Sequence, residues 1–123
     1  MQILVVDDIA DTRHLFSMAF VMAGHRALNA SNGAEALELF SQHRFDAVLL
    51  DVEMPNGNGW EVLDVIRQSP FANQVPVILF SAYHDQDMEK RAREVGAYAV
   101  LRKPMIPEYV IKIVERAISE CPY

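Results

Sequence analysis

Five side chains with chemical capability stand just after apolar stretches of this sequence. Asp7 and Asp8 follow ILVV at 3–6, Asp51 follows AVLL at 47–50, Ser81 follows VILF at 77–80, and Lys103 comes shortly after YAVL at 98–101. Brought together, three carboxylates repel one another and raise the pKa of at least one. A hard divalent cation relieves that repulsion. Mg²⁺ takes oxygen ligands, keeps several waters and is commonly shared with a phosphate group. Lys103 adds a mobile positive charge and Ser81 a hydroxyl donor. Such a set fits phosphoryl transfer, in which a carboxylate oxygen attacks phosphorus while cation and ammonium neutralise the equatorial oxygens. Each piece alone has an ordinary role. Asp7-Asp8 suits a helix cap, Asp51 a turn, Ser81 a cap and Lys103-Pro104 a bend. Their joint placement at the ends of apolar runs is what points to chemistry.

The elements must then bring these ends to one edge. The runs at 3–6, 47–50 and 77–80 are apolar on both faces, as strands inside a parallel sheet are. Residues 26–30 and 98–101 are weaker strands, expected towards the sheet edges. Helical patterns fill the gaps. Leu15, Phe16, Ala19, Met22 and Ala23 share one stripe. Asn32 stands at capping distance from Glu35, ahead of Ala36, Leu37 and Phe40. Trp60, Val62, Leu63 and Ile66 mark a third helix and residues 87–95 a charged fourth. Pro107 opens a fifth with the stripe Val110, Ile113, Val114, Ala117 and Ile118. Gly24 and Gly96 stand where C-terminal caps belong. Strict β–α alternation predicts a parallel sheet with helices on both faces, and in such sheets ligands bind at the carboxyl ends of the strands.

The 123 residues are read as one domain, 1–123, with no linker or repeat. Hydrophobic residues make up 51% and charged residues 23%, a globular balance. The formal net charge of −6 argues against this domain gripping nucleic acid. No apolar run is long enough for a membrane span, and a secretory signal is not expected. The single cysteine, Cys121, has no partner within the chain and is read as incidental, which fits a reducing cytoplasm. Met1-Gln2 leads straight into the first strand, so a complete N-terminus is expected.

With these motifs in view, the chain resembles the response-regulator receiver domains of two-component signalling, of the chemotaxis-switch type. The resemblance runs from residue 3 to about 118 and rests on VVDD at 5–8, LLDVEMPNGNG at 49–59, FSA at 80–82 and GAYAVLRKP at 96–104. It implies a flavodoxin-like α/β fold with five strands in the order 2-1-3-4-5 and five helices. It implies Asp51 as phosphoacceptor, Asp8 as direct Mg²⁺ ligand with Asp51, Asp7 acting through metal-bound water, and Glu53 giving its backbone carbonyl. It implies that Ser81 turns towards the phosphoryl group, that Lys103 pairs with it, and that the Lys103-Pro104 peptide is cis. The donor would be a histidine kinase or histidine phosphotransfer protein, docking near Asp11, Thr12 and Leu15. The output would be a downstream protein or fused domain reached through the surface of helix 4, strand 5 and helix 5. A homodimer is left open.

The chain departs from the family at the fifth strand. Three residues before the lysine, the usual Tyr or Phe is Val100, which has no ring to swing. Tyr98 stands two positions earlier and is expected on the same face. Activation is then expected to rely on the Ser81 loop and helix 4. Glu53 and Tyr83, each two residues beyond a site residue, are positions that tune phosphoryl lifetime in this family. Val21 is expected to face outward with Met18 and Phe20 beside it, Tyr109 and Ile111 to lie off the buried stripe of the last helix, and His84 to be a solvated loop residue.

Three other functions are weighed. A haloacid-dehalogenase-like phosphatase would place its nucleophile on the first strand. A flavodoxin-like nucleotide binder would need a Gly- or Ser/Thr-rich loop where Asp7-Asp8-Ile9-Ala10-Asp11 stands. A phosphorylation-independent docking or dimerisation module is the principal alternative. The chain is read as a switch, not a turnover enzyme.

Overall fold

The apolar runs form the strands they suggest. In a computed structural model describing residues 1–54, 59–69, 75–82 and 86–120, the order is β1 (Gln2–Val6), α1 (Ala10–Met22), β2 (Arg26–Ala30), α2 (Gly33–Gln42), β3 (Ala47–Asp51), α3 (Gly59–Gln68), β4 (Val77–Ser81), α4 (Gln86–Glu94), β5 (Ala99–Arg102) and α5 (Pro107–Glu120). The strands make one five-stranded sheet in the order β2-β1-β3-β4-β5. All four pairings are parallel. Tyr83, His84, Cys121 and the 55–58 part of the LLDVEMPNGNG motif lie outside the described residues.

Alternation along the strands divides the interior. Leu4, Val6, Val48, Leu50 and Leu79 face one side with Ala36 of α2 and Val62, Leu63 and Ile66 of α3. Ile3, Val5, Leu49, Ile78 and Phe80 face the other with Phe16 and Phe20 of α1 and Val110 and Val114 of α5. A fully buried Leu, Ile or Val adds roughly 1.5–3 kcal/mol, so the central strands anchor the fold. Asn32 caps α2 by accepting the Glu35 backbone N–H at 2.8 Å. Gly96 ends α4 at φ +85°, a left-handed conformation that glycine adopts without strain.

Two helix faces differ from expectation. On α1 the buried residues are Phe16, Ser17 and Phe20, while Leu15 and Met22 are exposed. The stretch from 15 to 23 is apolar almost all round, so periodicity does not select a face. The two phenylalanines, Phe16 and Phe20, take the buried face, and Ser17 lies beside them with its hydroxyl donating to Asn29 Oδ1 on β2. Phe20 therefore does not flank Val21 at the surface, although Val21 and Met18 are exposed. On α5, Ile111 is buried together with Val110, Val114 and Ala117, and Ile113 and Ile118 are half-buried. Ile111 is a core residue there, leaving Tyr109 exposed. The spacing 110, 111, 114, 117 still traces one helical face.

Candidate functional site

β1 has β2 on one side and β3 on the other, so the chain leaves the sheet in opposite senses at its centre. That reversal opens a crevice at the carboxyl ends of β1 and β3. Asp7 is buried just past β1. Its backbone N–H donates to Ala30 O at 3.1 Å, and its Oδ1 accepts the Ile9 N–H at 2.9 Å. Arg13 Nη1 donates to the Asp7 carbonyl at 2.8 Å. These bonds hold the turn and leave Asp8 exposed next to it.

Asp51 closes β3 and is only 2% exposed. Its Oδ1 accepts the Glu53 N–H at 3.0 Å. The start of α3 presses against this strand end: a Cβ on Gly59 would lie 2.5 Å from the Asp51 carbonyl oxygen. Gly59 N–H also donates to Val52 O at 3.1 Å, so only glycine permits this approach.

Lys103 reaches in from beyond β5. Its Nζ is 3.2 Å from both Asp7 Oδ2 and Asp51 Oδ2. Its backbone N–H donates to Ser81 O at 2.7 Å, extending the β4–β5 ladder to the site. The Lys103-Pro104 peptide is cis, as the family resemblance implies.

Electrostatics follow from this crowding. Burial pushes the Asp51 carboxyl up to about 7; the Glu53 N–H and Lys103 oppose the rise and Asp7 adds to it. Burial works against the Lys103 ammonium, yet the Asp51 and Asp7 carboxylates outweigh it and raise its pKa. Asp7, Asp8 and Asp51 each bring an oxygen to within 4.8 Å of the others. An all-oxygen set with this concentration of acids fits a hard divalent cation of the Mg²⁺ kind.

Ser81 is fully buried at the end of β4. Its hydroxyl donates to Glu53 Oε1 at 2.7 Å, and the same oxygen accepts the Ala82 N–H at 2.8 Å. The sequence places Glu53 near the site, but not its side chain on Ser81. A two-residue step past Asp51 on a chain turning out of the sheet is the only signal of that.

The fifth-strand positions separate. Val100 pairs with Leu79 and packs on the α3 side of the sheet. Tyr98 packs on the α5 side, and its hydroxyl donates to Glu120 Oε2 at 2.6 Å. The expectation that both share a face fails because β5 begins at Ala99, so Tyr98 belongs to the turn before the strand. Of the docking positions on α1, Asp11 and Leu15 are exposed and Thr12 is half-buried.

Known proteins carry the same framework. The family model for the response regulator receiver domain matches residues 3–115. Sporulation initiation phosphotransferase F of Bacillus subtilis is 35% identical over 103 residues, covering 84% of this chain and 82% of that protein. Regulatory protein AtoC of Escherichia coli is 35% identical over 118 residues, covering 96% of this chain; the chain spans only 25% of AtoC. Among solved structures, the chemotaxis protein CheY4 of Vibrio cholerae superposes with a TM-score of 0.90 at 29% identity, covering 94% of this chain and 97% of that one. The five-stranded order, the acids at the crevice and the family match converge: the chain belongs to the response regulator receiver domain family of two-component signalling.

Proposed function

We propose that this domain is a phosphorylation switch that accepts a phosphoryl group on Asp51. The observation that carries the reading is Lys103 Nζ at 3.2 Å from both Asp7 and Asp51, beside a cluster of three acids at the crevice. Asp8 and Asp51, with the Glu53 backbone carbonyl, would hold Mg²⁺, and Asp7 would act through a bound water. The cation, when present, would neutralise charge on the phosphoryl oxygens.

An Asp51 carboxylate oxygen attacks phosphorus, forming an acyl phosphate. The bond from phosphorus to the donor's histidine nitrogen breaks, and its electron pair leaves with the imidazole. Lys103 shifts from the carboxylates towards the new phosphoryl oxygens. The added charge and acceptors draw the Ser81 loop inward. The surface of α4, β5 and α5 is then re-biased towards a downstream partner or fused output domain. Val100 supplies no ring to that movement, and Tyr98 is tied to α5. The Ser81 loop and α4 therefore carry the change. The product is a signal and not a released compound, so the domain is a switch with self-catalysed transfer.

The test is intact mass after incubation with acetyl phosphate. One Mg²⁺-dependent phosphoryl addition in the native chain, absent in Asp51→Asn, is expected. No addition with this donor or with a phosphorylated histidine phosphotransfer protein would favour a phosphorylation-independent docking module.

A further inference from the structure

Glu53 Oε1 collects two donors at once, the Ser81 hydroxyl at 2.7 Å and the Ala82 backbone N–H at 2.8 Å. Both stand at the carboxyl edge of β4, in register beside the strand that ends in Asp51. Two convergent donors filled by one carboxylate oxygen form an anion cradle. The backbone of the same residue is fastened to the acceptor, since Glu53 N–H donates to Asp51 Oδ1 at 3.0 Å. We propose that Glu53 is a positioning residue that occupies, as an internal anion, the Ser81 and Ala82 donors that a phosphoryl group on Asp51 would use. The inference rests on the reading of Asp51 as the acceptor.

The consequence is competition. A phosphoryl group on Asp51 has three acceptor oxygens and negative charge. It cannot share the cradle with the Glu53 carboxylate, because like charges at that distance repel and each donor has one proton to give. Ser81 is held towards Glu53 until the phosphoryl group displaces the carboxylate. Glu53 thereby stabilises the resting state and sets how strongly the phosphoryl group must pull. The same two bonds fasten the end of β4 to the loop after β3.

The experiment compares the native chain, Glu53→Ala, Glu53→Gln and Asp51→Asn for binding of beryllofluoride, formed from beryllium chloride and fluoride in the presence of Mg²⁺, by ¹⁹F NMR. The Ala82 amide resonance is followed in Mg²⁺-free protein as an independent readout. Removing the competitor is expected to tighten beryllofluoride binding about three- to tenfold in Glu53→Ala, with a smaller gain in Glu53→Gln, which keeps an acceptor oxygen without the charge. The Ala82 amide proton is expected to move upfield in Glu53→Ala before any ligand is added. A loop merely propped by Glu53 would bind more weakly once the prop is gone, the opposite sign. Equal or weaker binding in both Glu53 variants, with the native chain binding normally, would overturn the inference while leaving the Asp51 reading intact. Absence of Asp51-dependent binding in the native chain would remove both.

Discussion

Helices α3 and α4 flank the same side of the sheet and are nearly equal in length, yet they are held very differently. In ten residues α3 buries Gly59, Val62, Leu63 and Ile66. In nine residues α4 buries Ala92. α3 also pins the strand that ends in Asp51 through Gly59 and reaches the next loops through Arg67, whose Nε and Nη2 donate to Gly96 O at 3.0 and 2.7 Å and whose Nη1 donates to Val75 O at 2.8 Å. α4 leans on α3 through Arg91, whose guanidinium lies 4.2 Å from the Trp60 ring centroid. Elements that move are drawn from the weakly packed part of a fold. Under the proposed switch, the difference separates a rigid half that fixes Asp51 from a lighter half suited to respond to it.

Four substitutions test that division. The largest effect is expected from Leu63→Ala, which empties a fully buried site on α3 and should cost about 2–5 kcal/mol in urea unfolding. A loss below that range would mean the rigid half is less tightly packed than described. Gly59→Ala comes next. Its Cβ meets backbone at the Asp51 carbonyl, and a destabilisation of roughly 1–3 kcal/mol is expected together with weaker phosphoryl uptake. Normal uptake would show that α3 does not position the acceptor.

Asp51→Asn should act in the opposite direction. The Asp51 pKa is raised from 3.8 to about 7 on folding. The folded state therefore holds a proton that the unfolded state releases, and metal-free stability falls as pH rises between those values. Removing the charge should stabilise the metal-free protein by on the order of 1–3 kcal/mol at about pH 8 and by little at about pH 4. Addition of Mg²⁺ should narrow the difference by stabilising the native chain. Thermal melts across pH decide this, and a gap of the same size at both ends would dissociate it from Asp51 titration. The smallest effect is expected from Arg91→Ala. Loss of an exposed cation–π contact should cost about 0.5–1 kcal/mol, and hydrogen exchange should quicken in α4 while α3 stays protected. Equal exchange in both helices of the native chain would erase the distinction.

Much of this architecture is legible in the sequence because buried parallel strands have no polar face to confuse. The runs ending at Asp7, Asp51 and Ser81 announce both strand and site, and Lys103 follows from the same edge rule. Helix faces are harder where apolar residues surround the axis. From 15 to 23 on α1 the buried face carries Phe16 and Phe20 together with a serine that meets Asn29 across the sequence, a long-range pairing that periodicity cannot carry. Tyr98 departs from the expected face of Val100 because it precedes the strand. Alternation holds only within a strand, and a start one residue later moves the ring to the opposite side. The motif carries the proximity of Glu53 to the site but not the direction of its side chain, which the loop after β3 sets.

The most direct measurement is chemical mapping of the acceptor. Protein treated with acetyl phosphate and Mg²⁺ is reduced with borohydride, which converts an aspartyl phosphate to homoserine, and the peptides are sequenced by mass spectrometry. Homoserine at position 51 alone is the expected result. Its appearance at position 7 or 8 with 51 unmodified, or at no position despite phosphoryl incorporation, would refute Asp51 as the acceptor.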